Sequence, residues 1–122
     1  MFQIKKEFVS PLVTTVRELA GRNQYDLVPR VKNLISMRRH RLHYRDIKET
    51  LLSLVPEDLY KEPVKDIKGG AFWVFKKSVP SRRGNTPFYI KLKIVDREYE
   101  KFVKLMSFHE DEFRDARRIR LV

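Results

Sequence analysis

The 122-residue chain contains no cysteine, which removes disulfides, thiol nucleophiles and cysteine-ligated zinc or iron–sulfur centres from consideration. It has only four glycines. Two of them form the pair Gly69-Gly70, whose surroundings match neither nucleotide-binding fingerprint and so disfavour a nucleotide-hydrolysing enzyme. Long apolar runs are missing as well. The longest, such as Ala71 to Phe75, fall far short of the roughly 18 to 20 residues that a membrane helix needs. The first ten residues carry Lys5, Lys6 and Glu7 rather than an apolar stretch ending in small residues, so no secretory signal is read there. The expectation is a cytoplasmic chain with no membrane partner. Acids are scarce beside bases, 16 against 27, for a net charge of +11. A field of that sign attracts polyanions, nucleic acid first.

What is present suffices for one core. Apolar residues make up 42% of the chain, and neither a repeat, a low-complexity tract nor a linker divides residues 1–122, which read as a single domain. Ser10 and Pro11 look like an N-cap and first helical position, and Leu12, Val13, Val16 and Leu19 predict a helix over 11–20 that stops at Gly21. Asp26 is placed to cap a second helix reaching Arg39, with Pro29 in its first turn and Leu27, Val31, Leu34 and Ile35 as its apolar stripe. Tyr44, Ile47, Leu51 and Leu54 predict a third helix ending before Pro56, with one further turn over 56–60.

Beyond Lys61 the periodicity becomes alternating. Strands are expected over 71–79, 88–95 and 101–108, the first two joined as a hairpin by the turn residues 80–85. Phe88, Ile90, Leu92 and Ile94 share one face of the second strand, while Tyr89, Lys91 and Lys93 share an exposed, basic one. Glu110 to Arg120 reads as a terminal helix with acids first and arginines last. The fold class is α+β, with N-terminal helices on a small, mainly antiparallel sheet.

The charge is localised. Residues 28–48 hold seven bases and one acid and residues 61–93 hold nine bases and two acids, so these two segments carry +13 and the rest −2. A solvated surface mixes signs; this asymmetry points to a phosphate-binding face. Trp73 and Phe75 read as core, whereas Tyr89, set among lysines, is a candidate base-stacking platform. His40 and His43 lack the further ligands of a metal set and read as surface residues at a helix end. The acids Glu110, Asp111 and Glu112 read as helix-start residues rather than a Mg²⁺ site. No metal and no cofactor are expected.

Leu42-His43-Tyr44-Arg45-Asp46 through Leu52-Ser53-Leu54, then Glu57-Asp58-Leu59-Tyr60-Lys61, Phe72-Trp73, Phe88-Tyr89-Ile90-Lys91-Leu92 and Ser107-Phe108-His109-Glu110 occur in one order. This resembles the motility quorum-sensing regulator (MqsR) toxins, which are small RelE-like mRNA interferases. The match covers roughly residues 30 to 112. It divides the chain into an N-terminal extension and helix, 1–27, a core of this type, 28–112, and a basic C-terminal segment, 113–122. The resemblance implies a RelE-like α+β ribonuclease that works without a metal, cleaves mRNA and is silenced by a cognate antitoxin protein. It also implies roles for Lys61 and Tyr89. Two positions depart from the family: Val74 stands where it has glutamine, and His109 where it has lysine.

The residues support such chemistry on their own terms. Metal-free RNA cleavage needs a base for the 2′-hydroxyl, an acid for the departing 5′ oxygen and cations for the charge that develops on phosphate. Lys61, Tyr89 and His109 are the candidate catalytic residues; Arg82, Arg83, Lys76, Lys91 and Lys93 are the candidate RNA contacts. A non-catalytic RNA- or DNA-binding regulatory module would use the same basic surface, and a homodimer is compatible with either.

Overall fold

The computed structural model describes residues 3–112 and 120–122. In chain order the elements are β1 (Gln3–Ile4), α1 (Lys6–Gly21), β2 (Tyr25–Leu27), α2 (Val31–Arg39), α3 (Tyr44–Leu52), a 3-10 turn (Pro56–Asp58), β3 (Leu59–Lys65), β4 (Ala71–Ser81), β5 (Gly84–Arg97), β6 (Glu100–Glu110) and β7 (Arg120–Leu121). The fold is α+β. Helices from the first half pack on a five-stranded sheet ordered β2-β6-β5-β4-β3, antiparallel except between β2 and β6. β1 and β7 form a separate parallel pair. Among the described residues no helix is long and apolar enough to cross a membrane.

The core lies between the sheet and helices α1 and α3. Val9, Val13, Val16, Leu19 and Ala20 of α1 and Ile47 and Leu51 of α3 recur at helical spacing, and they join Phe75, Phe88, Ile90, Leu92, Val103, Leu105 and Phe108 of the sheet in one buried cluster. Burying each large side chain of this kind contributes roughly 1.5–3 kcal/mol. The alternation in β5 holds, and Phe75 is core. Trp73 is half-buried against the same core.

Helix α1 starts five residues before the expected Pro11. Val9 extends the apolar stripe backwards, and its burial outweighs the local capping signal. Ser10 donates instead to the Lys6 carbonyl at 3.0 Å, and Pro11 sits inside the helix on the exposed side.

Helix α2 corrects the sequence in a more instructive way. Asp26 and Leu27 belong to β2 rather than to a helix start, and Val31, Leu34 and Ile35 point outward at 71%, 51% and 49% exposure. The buried residues of this helix are polar, Asn33 and Ser36. The cause is what α2 packs on. β2 pairs with β6 only as far as Leu105, which leaves the next stretch of β6 without a strand partner on that edge. Asn33 and Ser36 take the strand's place by bonding the β6 backbone, as buried peptide groups require.

Elsewhere the strands run longer than expected. β3 precedes the Gly69-Gly70 pair, and β4 and β5 continue until only Arg82 and Arg83 remain as the turn. The expected terminal helix falls mainly on 113–119, outside the described residues. Glu110 closes β6 and Arg120 lies in β7.

His40 is buried, not a surface residue. It is 2% exposed, its ring meets Phe88 edge-on, and Nδ1 lies 3.2 Å from Ser81 Oγ. The three acids that read as a helix start are spent on cations instead. Glu110 pairs with Arg39 at 3.0 Å and lies 3.4 Å from His40 Nε2, Asp111 pairs with Lys76 at 2.9 Å, and Glu112 pairs with Lys32 at 3.2 Å.

Candidate active site

Residues opposite one another on neighbouring strands share a face, so register alone assembles this site. On the face away from α1 and α3, one rung runs Lys76, Tyr89, His109 across β4, β5 and β6, and the next runs Lys61, Val74, Lys91, Ser107 across β3 to β6. Successive rungs lie about 7 Å apart.

A bulge in β6 makes the second rung. Lys91 pairs with Ser107 but Leu92 pairs with Leu105, so Met106 has no opposite number. The extra residue shifts the alternation. Val103, Leu105 and Phe108 all enter the core, while Ser107 and His109 share the other face. Asn33 Nδ2 and Arg30 Nη1 hold the Met106 carbonyl at 3.0 and 3.3 Å, and Arg30 also donates to Ser107 Oγ at 3.1 Å.

These rungs line an open cleft of about 450 Å³, joined by Arg30, Lys32, Tyr60 and the Asp111-Glu112 segment. The rings of Tyr89 and His109 are stacked within it, centroids 5.4 Å apart and planes 15° from parallel. His109 Nδ1 lies 3.0 Å from the Glu110 carbonyl oxygen. A carbonyl can only accept, so Nδ1 carries the hydrogen and the neutral ring keeps its lone pair on Nε2. Burial, then the neighbouring Tyr60 phenol, push the Tyr89 hydroxyl above the ordinary tyrosine value; Asp111 adds to this, and Lys76 and Arg30 oppose it without prevailing. Tyr89 therefore keeps its proton at neutral pH and acts as a donor.

Lys61, Tyr89, His109, Lys76 and Lys91 thus come together, and Lys93, Arg82 and Arg83 do not. Lys61 is exposed and Lys91 half-buried. No ion pair among the described residues neutralises either. Lys76 differs: it is buried at 6% exposure, paired with Asp111 and seated 3.7 Å from the centre of the Tyr60 ring. Its place is to hold Tyr60 and Asp111 beside Tyr89. Lys93 bonds Asp66 and the Gly69 carbonyl, both at 2.8 Å. Arg82 and Arg83 form the hairpin tip. Val74 is fully buried, so no polar side chain stands between Lys61 and Lys91 in their rung.

Arg30 was not legible as a site residue, because nothing in its neighbourhood marks the bulge it braces. The bulge does leave a trace: apolar positions run 103, 105, then 108 rather than 107. Among the described residues no three His, Asp or Glu side chains gather as metal ligands.

Compared with family models, curated proteins and solved structures, the chain finds no match. What the cleft can do follows from its own groups. It offers a lone pair on an imidazole, a phenol that retains its proton, and ammonium and guanidinium groups around one open space.

Proposed function

We propose that the chain is an endoribonuclease that cuts mRNA without a metal, blocks translation and is held in check by a cognate antitoxin protein. The stack of Tyr89 on His109, with Lys61, Lys91 and Arg30 around the same cleft, carries this reading. The toxin role adds the resemblance of the motif order to the MqsR family.

The chemistry balances with the groups at hand. His109 Nε2 takes the proton of a ribose 2′-hydroxyl, and the 2′ oxygen bonds to the adjacent phosphorus. The bond from phosphorus to the 5′ oxygen breaks, and the Lys61 ammonium gives that oxygen a proton. Tyr89 donates a hydrogen bond to a non-bridging oxygen, and Arg30 offsets the charge that develops there. An open sheet face suits single-stranded RNA, whose backbone and bases are accessible.

Incubating the purified chain with a defined mRNA in EDTA and mapping both ends tests the mechanism. The expected ends are a 2′,3′-cyclic phosphate and a 5′-hydroxyl. Cleavage that EDTA abolishes and Mg²⁺ restores, or 5′-phosphate products, would overturn it.

A further inference from the structure

The sheet face that carries the cleft continues beyond it. The third rung holds Lys93 and Lys104, which lie directly opposite each other on β5 and β6, about 7 Å from the rung of Lys91 and Ser107. Like charges facing each other across a ladder cost stability. Asp66 answers only one of them, bonding Lys93 at 2.8 Å. Lys104 is half-buried and has no acid partner among the described residues.

Lys91 adds to the same spot. Its Nζ lies 4.8 Å from the centre of the Phe72 ring, and that of Lys93 lies 5.4 Å from it. Phe72 is itself buried, so its ring forms an apolar floor from which ammonium groups of two rungs rise together. Three lysines and one carboxylate share this patch, and a bound anion would offset the imbalance. The rung spacing is comparable to the separation of successive phosphates along a nucleic-acid strand.

We propose that Lys104, together with Lys91 whose ammonium lies over the Phe72 ring, forms a second phosphate seat beside the cleft, so that the chain holds an extended single strand of RNA at two successive phosphates. This rests on the ribonuclease reading for the first seat. It makes the substrate longer than a dinucleotide, and it places the RNA contact along β5 and β6 rather than at the Arg82-Arg83 tip.

The test compares wild type with Lys104→Ala, Lys104→Glu and Lys104→Arg, using a dinucleotide and a hexanucleotide as cleavage substrates and a 2′-O-methyl hexanucleotide as a binding probe. Lys104→Ala should flatten the slope of log affinity against log salt by about 0.7, the value for one phosphate on a single strand. It should raise KM for the hexanucleotide and leave kcat and dinucleotide cleavage unchanged. Lys104→Glu should weaken binding further, and Lys104→Arg should retain it. An unchanged salt slope and hexanucleotide KM in Lys104→Ala would overturn the seat, as would an equal loss on the dinucleotide. The two claims separate cleanly: if wild type cuts nothing but Lys104→Ala still flattens the slope, the second seat stands and the ribonuclease reading falls.

Discussion

Asn33 accepts a hydrogen bond at 2.9 Å from the backbone amide of Phe108, and both residues are fully buried. Through its other end, Asn33 Nδ2 holds the Met106 and Val28 carbonyls at 3.0 and 2.9 Å. One side chain thereby clamps β6 on both sides of Ser107, next to the residue that carries the proposed base.

Replacing Asn33 with alanine removes these bonds without adding volume to a fully buried site. The buried Phe108 amide is left unpaired, while the Met106 and Val28 carbonyls keep Arg30 as a donor, so the loss should be on the order of 2 kcal/mol in urea unfolding. Leu34→Gln, on the outward side of the same helix, should stay within about 0.5 kcal/mol of wild type. The opposite ranking would mean that α2 packs by its apolar stripe.

Lys76→Met should act on stability and not on RNA affinity. Removing one partner of a buried ion pair leaves the other uncompensated, at a cost of about 3 kcal/mol or more, while the salt dependence of RNA binding should not change. A flattened salt slope with unaltered melting would make Lys76 a phosphate contact instead.

Glu110 predicts a pH dependence. Burial opposes its charge, but the nearby His40 ring and the bond from Arg39 outweigh burial and hold its carboxyl below the ordinary glutamate value. A folded value below the unfolded one supplies stability above the glutamate range that is lost as pH falls through the folded value. Glu110→Gln should therefore melt lower than wild type at pH 7 and show a shallower decline toward pH 3. Parallel melting curves across that range would contradict the assignment.

Tyr89→Phe keeps the ring on His109 and deletes only the hydroxyl. Cleavage should fall about 10²-fold with RNA affinity retained, the usual cost of removing one donor to a developing oxyanion. Because the Tyr89 hydroxyl is shifted upward by burial, its contribution to stability is intact below the ordinary tyrosine range and is lost as pH rises through the folded value. The variant should lose less stability than wild type on that alkaline side.

Much of this was legible in advance where a pattern meets an apolar surface. α3, β4 and β5 follow their periodicities because each lays one face on the core, and the register of β5 alone places Tyr89 beside Lys91. The misplaced elements share one cause. α2 docks on a backbone edge, so its inward residues are hydrogen-bonding ones and hydrophobic spacing points the wrong way. His40 fails for a related reason, since its buried ring is held by Ser81 and Phe88, residues more than 40 positions away. At the candidate site, residue chemistry and resemblance name Lys61, Tyr89 and His109, which line one cleft. Arg30 and the pairing of Lys76 with Asp111 depend on contacts that no local pattern records.

The most direct test of the central claim is single-turnover cleavage of one defined RNA by wild type and by folded His109→Ala, with RNA affinity measured on the same samples. If His109 takes the 2′-hydroxyl proton, the variant should bind normally and cut on the order of 10² to 10⁴ times more slowly. Equal cleavage by a folded His109→Ala protein would contradict it.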